Sequence, residues 1–366
     1  MTQYALAHAA DGTAADLAEQ CAAQLRDAAD HTLGFLYVTD PLAADLDAIV
    51  ATLKARTSVQ NWVGTVGIGI CATANEYFER PAIAALTGQF ADDEFRLIPP
   101  IDDPDAIRLA SFTDFAAAMG VVHVDPRNPQ ASELVASFAN NNAVYLVGGL
   151  TSAQTTFAQI AGGITEGGLS GVQIGGRRQV TFGLTQGCSP IGAPHAITGV
   201  EGNILATLDG RPALEVLYEE AGIKPGEDPR PGLANVFVAL LVDGSNIGDY
   251  LVRHLVSIDP SQGLVGITDD ASETSQLMFV RRDADNADKD LHRMLDDIEG
   301  RVGVPPKAGL FFSCVARGPH LFSEPAHEMK AIQERFGDIP IAGFFGSGEV
   351  CSDRVYAYTG VLTLFH

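Results

Sequence analysis

The chain is 366 residues long, 46% hydrophobic, and carries a formal charge of -23 from 23 Lys and Arg against 46 Asp and Glu. That length and apolar content suffice for large cores and about two domains, and the acidity argues against a nucleic-acid backbone or an anionic membrane surface as partner. No apolar run reaches the roughly 18 residues of a spanning helix, and the N-terminus lacks the charged-then-apolar pattern of a secretory signal, so a cytoplasmic location is expected.

In chain order, an amphipathic helix is expected over Ala14–Ala29, then a strand at Gly34–Asp40 and a helix from Pro41 to Arg56. Leu42, Leu46, Ile49, Val50 and Leu53 give that helix one buried face, and Asp40-Pro41 supplies an N-cap and a first-turn proline. Strands Val63–Ile70 and Pro81–Gly88 follow, around a polar turn at Ala74–Tyr77. Phe90–Asp105 reads as a connection with a strand at Phe95–Pro99. The plan of strand, helix, glycine-marked turn, strand, hairpin and strand then recurs as Ala143–Leu150, a helical Thr151–Ala161, Gly168–Gly175 and Gln179–Gln186.

Pro212–Ala221 reads as a short helix, and the prolines and glycines of Gly222–Gly232 mark a boundary between halves. Strands at Asn235–Val242, Tyr250–Ile258, Leu264–Ile267 and Gln276–Val280, then a helix with Leu291, Met294, Leu295 and Ile298, resemble a fourth module lacking its first crossover helix. The last copy runs from Gly309–Val315 through a helix with Ala326, Met329, Ile332 and Phe336 inward to Gly343–Glu349 and two short strands. The expected fold is therefore α/β: duplicated strand-helix-strand-hairpin modules forming mixed or antiparallel sheets flanked by helices. Two domains packed together are expected, 1–208 and 209–366.

Cys21, Cys71, Cys188, Cys314 and Cys351 are odd in number, scattered and never in CxxC spacing, which disfavours a disulfide framework and a zinc site. All five read as reduced thiols, and neither metal nor cofactor is expected. Gly343-x-x-Gly346-x-Gly348 is followed by no Lys-Ser/Thr and by strand-like sequence, so it reads as a tight turn instead of a phosphate loop.

Candidate ligand-binding residues lie where strands feed glycine-bearing loops, the places where scaffolds commonly hold small molecules. They are Gly187, Cys188, Ser189 and Pro190; Cys314 and Arg317; and Gly346, Ser347 and Glu349. Arg317 would pair with a carboxylate or phosphate and Glu349 would accept from an ammonium group, so that together they recognise a zwitterion such as an amino acid. The structural alternative is that Arg317 and Glu349 bridge each other. A cysteine-dependent enzyme would need Cys188 with His195, or Cys314 with His320.

Thr165–Gly171, Thr185–Gly192, Glu201–Asn203, Leu208–Glu215, Gly309–Gly318 and Pro340–Glu349 together resemble the FIST proteins. The resemblance spans about Asp30 to Phe365, with the FIST N-terminal and C-terminal regions in order. It implies a free-standing, bacterial-type sensory module that binds a small polar metabolite, with amino acids proposed for the family. A cleft between the two halves, floored by Gly187–Pro190, Cys314–Gly318 and Gly346–Glu349, would hold it, and a signalling partner would read the change. Eukaryotic relatives make a ligand-free interaction adaptor the alternative.

Overall fold

The computed structural model describes residues 3–109, 115–176, 178–242, 250–301 and 303–366. They divide into two units, one made of 1–185 with 291–366 and the other of 186–290.

The first unit opens with β1 (Tyr4–Ala10), α1 (Ala14–Gln24), β2 (Leu33–Thr39), α2 (Leu46–Arg56), β3 (Asn61–Gly67), the hairpin β4 (Gly69–Ala72) and β5 (Asn75–Phe78), and β6 (Ala82–Gly88). The same order follows in β7 (Phe95–Ile101), α3 (Pro104–Leu109), β8 (Ala117–Val124), α4 (Ala131–Asn142), β9 (Tyr145–Leu150), the hairpin β10 (Gln159–Ala161) and β11 (Ile164–Thr165), and β12 (Leu169–Gly175). A third series begins with β13 (Val180–Gln186) and is interrupted there by the second unit.

That unit contains β14 (Cys188–Pro190), β15 (His195–Glu201), β16 (Ile204–Leu208), β17 (Arg211–Pro212), α5 (Ala213–Ala221), α6 (Pro229–Leu233), β18 (Val236–Leu241), β19 (Tyr250–Asp259), β20 (Leu264–Ile267) and β21 (Gln276–Arg282). The third series resumes with α7 (Ala284–Arg301), β22 (Ala308–Cys314), α8 (His327–Phe336), β23 (Ile341–Gly346), the hairpin β24 (Glu349–Ser352) and β25 (Arg354–Tyr356), and β26 (Thr359–Phe365).

Each series builds most of a six-stranded mixed sheet around one parallel pair: β2 with β3, β8 with β9, and β22 with β23. A helix crosses between the members of each pair, as parallel strands require. In all three the second strand carries a glycine at the same register, Gly64 opposite Leu36, Gly148 opposite Val122 and Gly343 opposite Phe311. A Cβ there would fall 1.7–1.8 Å from the facing carbonyl oxygen, so no other residue fits.

The hairpins are exchanged in a circle. β4 pairs with β23, β10 with β3, and β24 with β9, so each sheet is completed by residues from another series. On the helix-facing side of each sheet lies an apolar core, such as Leu36, Val38, Ile49 and Leu53 in the first. On the other side Tyr37, His123 and Phe312, one residue after the positions facing the three glycines, gather around Phe344. Its ring centroid lies 5.4 Å from Tyr37 and 5.8 Å from both His123 and Phe312. Burial lowers the His123 pKa to about 3, so this ring is neutral.

Three expectations are corrected, two in the first unit and one in the second. Thr151–Ala161 is not a helix: it is a polar connection ending in β10. The crossover helix is α4, whose Leu134, Val135, Phe138 and Ala139 share a buried face and whose last turn closes on Ala143 at φ 48°. Gln179–Gln186 does not close the second sheet either, because β13 pairs within the third sheet.

In the second unit, β18, β19, β20, β16, β15 and β21 pair in succession, and β21 pairs back onto β18. The ring is antiparallel and closed, which removes the exposed strand edges of an open sheet. Its core holds Leu205, Val238, Val265, Leu277 and Phe279 with Leu214, Val216 and Leu217 of α5. The four strands after residue 235 thus belong to this ring and not to a fourth module. Among the described residues no helix is long and apolar enough to cross a membrane.

Candidate functional site

The sequence-predicted residues fall into two groups. Gly187, Cys188, Ser189 and Pro190 belong to the second unit, whereas Cys314, Arg317, Gly346, Ser347 and Glu349 belong to the first.

The first group forms β14, with Cys188 opposite Arg282 and Pro190 opposite Val280. The Cys188 carbonyl accepts from the Tyr250 hydroxyl, and Ser189 Oγ accepts from Asn286 Nδ2 at 3.2 Å. His195 lies opposite Leu277 on the same strand β21, five residues from Arg282, so it is about 16 Å along the strand from Cys188. That spacing is too long for a thiol and its base.

The second group is drawn together at the ends of β22 and β23. The chain leaves β22 through a turn in which the Arg317 N–H donates to the Cys314 carbonyl at 2.8 Å, folding the Arg317 side chain inward until none of it is exposed. Its partner is a residue the sequence reading did not single out. Glu328, in the first turn of α8 and fully buried, accepts from Arg317 Nε at 2.9 Å, and Arg317 Nη2 lies 2.8 Å from the same carboxylate oxygen. The other Glu328 oxygen accepts from Ser313 Oγ at 2.9 Å and from the Gly318 N–H at 3.3 Å. An acid in the first turn of a helix is favoured by the helix dipole and usually reads as solvated, so its burial leaves no local trace.

Glu349 does not bridge to Arg317, as the structural alternative required. Its Oε2 accepts from the Thr359 hydroxyl at 2.7 Å and the Thr359 N–H at 3.2 Å. Its Oε1 is buried and has no hydrogen-bond partner. Burial pushes its pKa up to about 8, against the Thr359 bonds and the nearby Arg317 charge.

Glu76 joins the cluster from the exchanged hairpin. Burial and the Glu328 charge raise its pKa to about 8, while the Met329 backbone N–H of α8 bonds to it. Cys314 is 5% exposed, and burial with the Glu349 charge pushes its thiol well up, the opposite of an activated nucleophile.

The glycines serve the loop geometry. The Val315 N–H donates to the Gly346 carbonyl at 2.9 Å, Ser347 N–H to Leu150 O at 2.9 Å, and Leu150 N–H to Gly348 O at 2.8 Å. A Cβ on Gly346 would lie 3.0 Å from two of these carbonyls. Ser347 is exposed at the surface of this loop. Among the described residues no group of three or more His, Cys, Asp or Glu is arranged to hold a metal ion.

The arrangement is a largely desolvated polar cluster with one cation, three carboxyl groups and two carboxyl oxygens without hydrogen-bond partners, Glu349 Oε1 and Glu76 Oε1, beside a surface loop. Chemically it can hold a proton on Glu349 or Glu76 near neutral pH and offer Glu349 Oε1 to a polar group. Comparison with known proteins adds its kinship. The FIST N domain matches residues 32–211 and the FIST C domain residues 213–352. An uncharacterized protein of Mycobacterium tuberculosis is 30% identical over 343 residues, covering 87% of this chain and 86% of the relative. An uncharacterized protein of Mycobacterium bovis is 33% identical over 208 residues, covering 54% and 53%.

Proposed function

The chain belongs to the FIST family, whose domains are sensory signal-transduction modules, and from that premise we propose that it senses a small polar metabolite at the ends of β22 and β23. The observation that carries this reading is Glu349 Oε1, a buried oxygen without a partner beside Arg317. An unsatisfied buried polar atom is destabilising by about 1–3 kcal/mol, so a ligand group that bonds to it has a ready source of affinity. The ligand is a small molecule with a hydrogen-bonding head, of the amino-acid or organic-acid class, and a signalling protein reads the bound state.

Thermal unfolding in the presence of amino acids and organic acids tests the proposal. A ligand at about 100 times its Kd stabilises the folded protein by roughly 2.7 kcal/mol. The matching ligand raises Tm in the wild type and has a much smaller effect in Glu349→Ala. If no compound shifts Tm at saturation, the proposal fails. We read the chain as a binding module and not a cysteine enzyme, so iodoacetamide at neutral pH leaves Cys314 unlabelled in the folded protein.

A further inference from the structure

The second unit holds a histidine that the site above does not use. His195 begins β15 with its side chain 15% exposed, and each ring nitrogen faces a different carboxylate. Nδ1 lies 2.6 Å from Asp209 Oδ2, in the turn after β16, and Nε2 lies 2.8 Å from Glu220 Oε1, near the end of α5. Asp209 Oδ1 also accepts from the Ala196 N–H at 2.9 Å, so that acid is fixed to the strand. The place for Glu220 is built in: a Cβ on Gly192 would fall 1.8 Å from its Oε1.

A neutral imidazole has one N–H donor and one acceptor. With both acids ionised, two contacts at these distances require the doubly protonated ring, since a neutral ring would leave one contact acceptor against acceptor. The neighbouring charges agree. Arg211, the cation flanking Asp209, is taken up by Glu215 and Glu219 of α5 at 2.7 Å each. The ring's neighbour on β21 is Phe279, at 6.4 Å between centroids, which brings no charge.

We propose that His195 is a pH-operated latch that fastens the end of α5 to the β15–β16 hairpin of the closed ring when both nitrogens carry protons, and lets go of one acid when one proton leaves. Burial by itself would lower the His195 pKa, but the bonds to Asp209 and Glu220 outweigh it and hold it above the ordinary value of 6.5. The sign follows from linkage. A raised folded-state value makes the contribution fully present below the unfolded value and lost as pH rises through the folded one. Alkalinity therefore loosens α5, whose Leu214, Val216 and Leu217 pack in the core of the ring. This device does not rest on the metabolite reading, and the two fail independently.

Amide hydrogen exchange of the full chain at pH 6 and pH 9, corrected for intrinsic rates, tests it. Protection of residues 213–221 is expected to fall about tenfold at the higher pH in the wild type. In Glu220→Gln the neutral ring donates to Asp209 and accepts from the amide, so protection there is the same at both pH values. A wild type whose α5 protection does not change, or a Glu220→Gln that loses it as the wild type does, overturns the proposal. So does an NMR titration of the wild type that places the His195 ring midpoint at or below 6.5.

Discussion

Glu349 and Gln159 hold the same place in their sheets. Gln159 lies opposite Thr65, at the residue after the glycine facing Leu36, and Glu349 lies opposite Gly149, at the residue after the glycine facing Val122. Each ties its hairpin to the start of its own returning strand, Gln159 Nε2 to the Gly168 carbonyl at 2.9 Å and Glu349 Oε2 to Thr359. The amide satisfies its second atom through Ser170 at 2.7 Å, but the acid leaves its second oxygen bare. Burial raises the Glu349 pKa, and in its protonated form this side chain can stand in for glutamine.

A folded-state pKa near 8, against 4.5 for an ordinary glutamate, means the unfolded chain loses this proton first. Stability should fall between those values by an amount on the order of a few kcal/mol. Urea midpoints from pH 5 to 9 are expected to decline in the wild type and to decline less in Glu349→Gln, with Glu76→Gln removing a further part of the slope. Arg317→Ala presents the opposite case. It strands the Glu328 carboxylate in a buried site, and chemical denaturation should show a loss of about 3–5 kcal/mol. Arg317 and Glu349 were legible as site candidates because each lies just past the loop-feeding end of a strand, β22 or β23. The Arg317 partner Glu328 was not, since it becomes buried only through contacts between distant segments.

The three parallel pairs show which features of an element are local. Helix α2 was legible from the spacing of Leu46, Ile49, Val50 and Leu53, all within one window, but not its start: Asp40–Asp45 forms a separate 3-10 turn, and α2 begins at Leu46 with Asp45 at its N-cap. Helix α4 was missed although Ala131, Leu134, Val135 and Phe138 repeat that spacing, because its N-cap Gln130 makes no capping bond with its side chain and gives no start signal. The exchange of hairpins had no local trace at all, as nothing in Gly69–Phe78 names β23 as its partner. The glycines at the crossover pairs are testable by contrast with a glycine in open space. Gly343→Ala should be destabilising by about 3 kcal/mol or more, because Phe311 backbone blocks the added carbon. Gly300→Ala, in the exposed last turn of α7 with nothing within 4 Å, should stabilise by up to about 1 kcal/mol. Thermal unfolding of the two variants separates these outcomes.

At the scale of the molecule, the second unit is an insertion between β13 and the body of α7, taking in the first turns of that helix, where the other two series run directly from strand to helix. Its two ends meet: the Gln186 N–H donates to Asp290 Oδ2 at 2.6 Å. Replacing 187–289 by a short Gly-Ser linker should therefore leave the first unit able to fold, seen as a single cooperative thermal transition by circular dichroism. A chain without such a transition would show that the insertion is needed for folding.

The circular exchange of hairpins also sets a timetable for synthesis on the ribosome. Ile70, Cys71 and Ala72 are fully buried in the finished protein, yet their partner strand begins at Ile341. At roughly 5–20 residues per second, that strand emerges on the order of tens of seconds later. During the wait the nascent hairpin exposes an apolar edge that no earlier part of the chain can cover. Truncated translation products should accordingly aggregate or recruit chaperones, and the N-terminal segment should acquire protease resistance only once the C-terminus has left the exit tunnel.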